Sequence, residues 1–300
     1  METPKAASLR FALLLPVLCL ACSAQSIQSS DVVAQVQPLL DHTRPLRIEA
    51  VQQQHFEYVI PELILGGEWT STIRITNRST QSMPATSVYF VDNLGNDMTT
   101  TFQATSVLAN GNTVLGGLIT GTGFSFFLAP GYSIEATFAG GANTQFGHAL
   151  IDYCSTSAGC SSAGIYGEVL LRNRNSTRPD FESIFPFEQP TNMQYMLWDD
   201  RNGLSTVLYL VNENTSSTLV SLSFLNAGNK SIQTVNVTLP ELGSQILTLD
   251  VLAPAIIGLE GTLVISGMNS AGSLALVTAT ALRINPSNSF TPMRAFVPSP

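Results

Sequence analysis

Short runs of Val, Ile, Leu, Thr, Tyr and Phe recur along this chain, broken by Gly, Asn and Pro. They include Ile73–Asn77, Ser87–Val91, Ser133–Phe138, Gly147–Tyr153, Val207–Asn212, Leu219–Leu225, Val235–Leu239, Leu263–Ser266 and Leu274–Ile284. Several alternate: Val220, Leu222 and Phe224 face one way, while Leu219, Ser221 and Ser223 face the other. Successive strand side chains point to opposite faces, so this period of two predicts antiparallel strands with one buried face. No long segment carries apolar residues at helical spacing. One short helix is predicted around Asp31–Leu40, capped by Ser30 and interrupted by Pro38. Turn signals spaced about every ten residues make the chain an all-β sandwich or barrel.

The strand pattern repeats. Thr70–Asn77 aligns with Ser205–Asn212, and Val88–Asp92 with Leu222–Asn226. The following turn pairs Gly95-Asn96 with Gly228-Asn229, one residue shorter in the second copy. Further on, Leu128-Ala129-Pro130 answers Leu239-Pro240, and Gly147–Ile151 answers Gly261–Ile265. The offset has by then shrunk, which places an insertion of roughly twenty residues near Gln103–Phe127 of the first copy, in a surface connection. The expected architecture is two tandem antiparallel Ig-like β-sandwiches from an internal duplication. The first spans 55–190 and the second 191–300, with the seam near Gln189–Asn192 and Pro186 and Pro190 closing the first copy.

Ahead of these copies, Met1–Arg10 is short and positive and leads into the apolar stretch Phe11–Leu20, the form of a secretory signal peptide over 1–24. About ten apolar residues cannot cross a hydrocarbon core that needs about twenty. Two cleavage readings stay open. Cys19-Leu20-Ala21-Cys22 is a lipoprotein-like box with Cys22 as the lipidated residue, whereas Cys22-Ser23-Ala24 supplies small residues for an ordinary cut before Gln25. Residues 25–54 then form a linker or stalk. The protein is expected outside the cell, in the periplasm or at the cell surface, and the membrane enters only through a lipid on Cys22. In that oxidising setting Cys154 and Cys160 are expected to form a disulfide across a hairpin.

Composition narrows the function classes. Only 11% of residues are charged against 44% hydrophobic, and the net charge is -8. Disorder, coiled coil and nucleic-acid binding are excluded together, because they need high charge, heptads and a basic face respectively. The order of motifs, with Gly66-Gly67-Glu68-Trp69-Thr70 leading into the first strand and L-x-P or L-P before a later one, resembles uncharacterised secreted bacterial tandem β-sandwich proteins. The resemblance implies the fold and secretion and carries no activity.

Candidate chemistry is sparse. Asp92, Asn93 and Asp97 cluster around a Gly turn and offer oxygen ligands for calcium; the competing reading is a hairpin turn, since Asn226-Ala227-Gly228-Asn229 keeps the turn without carboxylates. Asp199-Asp200-Arg201 reads as a solvated connection. Glu57, Glu62 and Glu68 are the densest acidic group near an aromatic residue, the kind of pairing that glycoside hydrolysis needs. His148 reads as a structural histidine within a strand, and Gly116-Gly117 and Gly140-Gly141 as loop glycines. No serine-hydrolase elbow, zinc motif or phosphate loop occurs. Among aromatics, Trp69, Tyr132 and Trp198 are the candidates for stacking on a sugar or partner, with Phe124 and Phe126 sharing a face opposite Phe127. The expected protein is non-catalytic and cofactor-free, structural, adhesive or binding, with an extracellular protein or glycan as partner. Carbohydrate binding through exposed aromatics is the alternative, and a glycoside hydrolase stands behind it.

Overall fold

The computed structural model describes residues 37–38, 58–83, 86–138, 140–153, 164–174, 180–287 and 289–297. The N-terminal half holds β1 (Gln37–Pro38), β2 (Tyr58–Leu65), β3 (Trp69–Asn77), β4 (Thr86–Asp92), β5 (Thr100–Val107), β6 (Thr113–Gly121), β7 (Gly123–Phe126), β8 (Ser133–Phe138), β9 (Gln145–Tyr153), β10 (Ile165–Asn173) and β11 (Phe181–Pro186). The C-terminal half holds β12 (Met193–Asp199), β13 (Ser205–Asn212), β14 (Thr218–Asn226), β15 (Ser231–Leu239), β16 (Ser244–Thr248), α1 (Leu249–Leu252), β17 (Glu260–Asn269), β18 (Leu274–Ala275), β19 (Val277–Ile284) and β20 (Phe290–Arg294). Eight of the nine runs read from the sequence fall within single strands, and the ninth, Leu274–Ile284, is divided at Leu276 between β18 and β19, which belong to different sheets. Every described pairing between strands is antiparallel.

In the N-terminal half, the sheets run β1-β7-β4-β9-β2 and β11-β10-β3-β8-β5-β6; in the C-terminal half they run β12-β17-β14-β15 and β16-β13-β19-β20. Alternation decides what each sheet buries. Ile73 and Ile75 of β3, Phe90 of β4, Phe102 of β5 and Phe138 of β8 all point into one core fed by both N-terminal sheets. Phe90 is its hub, in edge contact with Phe102 at 5.6 Å and Phe138 at 5.1 Å between ring centroids. Truncating such a ring costs about 3–5 kcal/mol, because transfer and cavity terms add. A second core gathers Met196, Trp198, Leu208, Leu210, Val220, Leu222, Phe224 and Ile265.

The halves are joined by more than the chain. Tyr209 and Leu282 of the C-terminal half belong to the N-terminal core, and Val59, Val91 and Leu150 bury against Val211 and Leu242. The Asp92 turn docks on the 240–244 loop. Ser244 donates its N–H to the Asn93 carbonyl at 3.1 Å and its hydroxyl to Asn93 Oδ1 at 2.9 Å. Gly95 sits where a side chain has no room: its φ is +87°, and an added Cβ would lie 2.0 Å from the Glu241 carbonyl oxygen.

Four sequence expectations change. Gln37–Pro38 pairs with Phe124–Ser125 as an edge strand, so part of the expected helix is extended; Pro38 lacks the N–H that a helix interior requires. The rest of Asp31–Leu40 lies outside the described residues. The Asp92 and Asn226 turns have equal length. Asp92 N–H donates to Asn96 O as Asn226 N–H donates to Lys230 O, which sets Gly95 against Asn229, both with positive φ. Gly116 and Gly117 lie inside β6, where they form a bulge opposite Ala104, and not in a loop. Lastly, β9 and β10, the strands before and after Cys154 and Cys160, lie in different sheets and do not pair with each other, so they are not the two arms of a hairpin. The two cysteines themselves, like Cys22 and the signal segment, lie outside the described residues.

Candidate functional site

Glu188, Gln189 and Thr191, in the connection between the halves, line a cleft of about 540 Å³. One wall comes from the N-terminal half: Tyr58 at the start of β2, Ile165, Tyr166 and Gly167 of β10, Pro186 at the end of β11 and Phe187 after it. The other is the segment Arg294–Val297. Phe187 can lie flat over β10 only because residue 167 is glycine, since a Cβ there would fall 1.8 Å from the Phe187 ring. The same glycine carbonyl accepts the Phe187 N–H at 2.9 Å. Tyr58 packs beside Phe187, with centroids 6.5 Å apart.

Backbone bridges fix both walls. Val59 and Glu188 exchange N–H···O bonds of 2.9 and 3.0 Å, and Tyr195 and Phe296 exchange two of 2.8 Å while their rings stack at 5.9 Å. Phe296 remains 49% exposed, so a ring face is open. Glu188 and Arg294 form a two-pronged ion pair across the seam, at 2.7 and 3.1 Å. Burial pushes the Glu188 carboxyl above its usual range and the Arg294 guanidinium opposes this. Tyr166 donates its hydroxyl to Glu168 at 2.8 Å, and that bond, with burial, raises its pKa. The Arg78 guanidinium covers the Tyr166 ring at 4.1 Å, a cation held on the ring's negative face.

Such a site offers the part-exposed rings of Tyr58, Tyr166 and Phe296 and a guanidinium with donors beyond those spent on Glu188, a mixture that suits flat, hydroxyl-rich molecules, while Phe187 is buried. Both carboxylates near it are already engaged, Glu188 by Arg294 and Glu168 by Tyr166.

The residues singled out in the sequence lie elsewhere. Trp198 is 2% exposed and stands edge-on to Phe224 at 6.0 Å inside the second core. It presents no ring to solvent, because its position in β12 shares the inward face of Met196. Trp69 is half-buried, edge-on to Phe181 at 6.1 Å, and Phe181 in turn meets Phe290 at 4.3 Å across the seam. Tyr132 is half-buried against the first core. Phe124 and Phe126 are buried, whereas Phe127 is exposed, as alternation requires.

Asp92 and Asn93 spend side-chain oxygens on the turn and on its docking. Asp92 Oδ1 accepts the N–H groups of Leu94 and Asn96 at 2.9 and 2.8 Å, and Asn93 Oδ1 is taken by Ser244. Asn226 Oδ1 does for Gly228 and Lys230 what Asp92 does here. Among the described residues no group of three or more His, Cys, Asp or Glu can hold a metal. In the Asp199-Asp200-Arg201 segment, Arg201 binds Asp199 at 2.9 and 3.0 Å and lowers its pKa. Glu62 is buried while Glu68 is exposed in the β2–β3 turn, so the two do not pair; Glu57 lies outside the described residues.

Three buried titratable groups went unnoticed or unexplained in the sequence. Desolvation pushes Glu62, which faces the Tyr209 hydroxyl, up to about 8, and Glu213 likewise to about 8. His148 is fully buried in β9, and desolvation takes it down to about 4.

Comparison with known proteins adds little to this geometry. The apo form of a Pleurotus ostreatus lectin is 13% identical over 89% of this chain and 84% of its own, with a TM-score of 0.19. A Pleurotus ostreatus lectin in complex with GalNAc gives 14% identity over 89% and 85%, with a TM-score of 0.20. Scores of that size transfer neither a fold nor a ligand. No family model matches this chain, and no curated protein matches it.

Proposed function

We propose that this is a non-catalytic extracellular binding protein, secreted or lipid-anchored, made of two Ig-like sandwiches in tandem, with a saccharide held in the cleft between them. The observation that carries the reading is the cleft itself, which the part-exposed rings of Tyr58, Tyr166 and Phe296 line together with the Glu188–Arg294 pair. Rings supply stacking faces and the guanidinium supplies directed donors, while the engagement of both nearby carboxylates favours binding over hydrolysis. Support for the tandem reading comes from one side chain in each half. Asn77 Nδ2 donates to the carbonyls of Gln81 and Leu128, and Asn212 Nδ2 donates to those of Ser216 and Pro240.

The test is calorimetric titration of the exported protein with neutral and uronate-containing oligosaccharides, alongside the Tyr166→Ala and Arg294→Ala variants. A saccharide that binds and is lost in both variants upholds the proposal. Thermal midpoints report the same event, because ligand at about a hundred times its dissociation constant stabilises by roughly 2.7 kcal/mol. Binding that survives both substitutions, or that is lost only with Trp69→Ala, places the ligand elsewhere. Turnover of any saccharide in the panel sinks the non-catalytic part.

A further inference from the structure

β6 forms one edge of its sheet, paired with β5 on one side and with nothing among the described residues on the other. Its sequence, Thr113-Val114-Leu115-Gly116-Gly117-Leu118-Ile119-Thr120, reads nearly the same in both directions about the Gly116-Gly117 bond. Exposure follows the same symmetry. Thr113, Leu115, Leu118 and Thr120 are exposed, and Val114 and Ile119 are half-buried against the core. The symmetry has a structural cause. Gly116 and Gly117 together face Ala104, and this bulge resets the alternation, so that Leu115 and Leu118 emerge on one outer face at 73% and 66% exposure.

From this we infer that β6 is a homodimer interface, in which two copies join antiparallel about a two-fold axis through the Gly116-Gly117 bond. A two-fold contact must be self-complementary, and this strand meets the requirement residue by residue. Leu115 of one copy faces Leu118 of the other, Val114 faces Ile119, and Thr113 faces Thr120. Four leucines then close over one another on the outer face, and the free backbone groups of each edge find partners. Isolated edges are normally protected by charge or proline. β11 carries Glu182 and Pro186 and β20 carries Pro292 and Arg294, whereas β6, like the edges β15 and β16, carries neither kind of residue; what distinguishes β6 is the symmetric placement of its exposed leucines. Gly117 adds a second sign. Its φ is ordinary and an added Cβ would meet nothing within 4 Å, so the chain's own packing does not call for a glycine there. At the two-fold centre, a missing side chain lets the second strand approach.

The test is sedimentation of the full chain as the cell processes it, over a range of concentrations. The unsubstituted protein is expected to dimerise, and Leu115→Lys and Leu118→Glu singly to weaken the dimer about tenfold or more. The double variant Leu115→Lys/Leu118→Glu sets a lysine opposite a glutamate twice and is expected to regain dimerisation. Hydrogen exchange of the unsubstituted chain provides an independent reading, with protection rising with concentration at Thr113–Gly121 and not elsewhere. A monomer at all concentrations, a dimer indifferent to both substitutions, or a double variant weaker than either single one overturns the inference.

Discussion

Asn77 and Asn212 stand at the ends of β3 and β13, both fully buried, and both spend their amide donors on two carbonyls of the loops they anchor. The residues that follow them differ. Arg78 is exposed and covers Tyr166 beside the cleft, whereas Glu213 is buried and its carboxyl oxygens find no hydrogen-bond partner. The comparison separates two kinds of position. Where the backbone must be held, the halves use the same side chain in the same way. Where a surface is offered, they diverge, and the N-terminal half adds β6 as well.

The largest effects should come from the anchors. Asn77→Ala and Asn212→Ala each strand buried carbonyls, and urea denaturation should show losses of about 3 kcal/mol. The loss at 212 should be slightly the greater, because Asn212 Oδ1 accepts from the Asn214 N–H, Asn214 Nδ2 and the Thr218 hydroxyl, whereas Asn77 Oδ1 accepts only from the N–H and hydroxyl of Ser79. A difference in the opposite sense would break the equivalence. Next comes the turn pair. Gly95→Ala meets both a positive φ and the Glu241 carbonyl, so it should cost about 2–3 kcal/mol, against about 1 kcal/mol or less for Asn229→Ala, which already holds a left-handed conformation without glycine.

Acidity should separate the buried groups. Glu62 and Glu213, raised to about 8, contribute stability that is complete below the unfolded carboxyl pKa near 4.5 and disappears as pH rises towards 8. His148, lowered to about 4, acts in the opposite sense, with stability lost as pH falls from about 6.5 to 4. Two carboxyls outweigh one imidazole, so stability should decline from about pH 5 to 8. Glu62→Gln should flatten that decline, and a profile unchanged by it would show that the carboxyl is ionised in the folded chain. The smallest effect should be Asp92→Asn, which copies the Asn226 turn. A change within about 0.5 kcal/mol is expected, with a melting point insensitive to calcium or a chelator; a calcium-dependent shift that the substitution removes would restore the metal reading.

Much of the fold was legible because alternation is local. Val220, Leu222 and Phe224 show their inward face in six residues of text. The cleft was not legible, since Tyr58, Tyr166, Phe187 and Phe296 come from separate elements and share no spacing. Trp198 misled for the same reason. A tryptophan near a strand end looks like a platform until its neighbour Met196 is known to face inward. The β6 repeat was visible as letters, but two adjacent glycines suggest a loop, and only the bulge opposite Ala104 shows that they continue a strand.

The position of β2 has a mechanical consequence. It pairs with β9 inside the N-terminal half, while Val59 and Glu62 on the same strand lean on residues of β13, and Tyr209 of β13 completes the N-terminal core. Neither half can melt without exposing apolar surface of the other. Heating should therefore produce one cooperative heat-absorption peak rather than two, and pulling on the chain ends should rupture both halves in a single event.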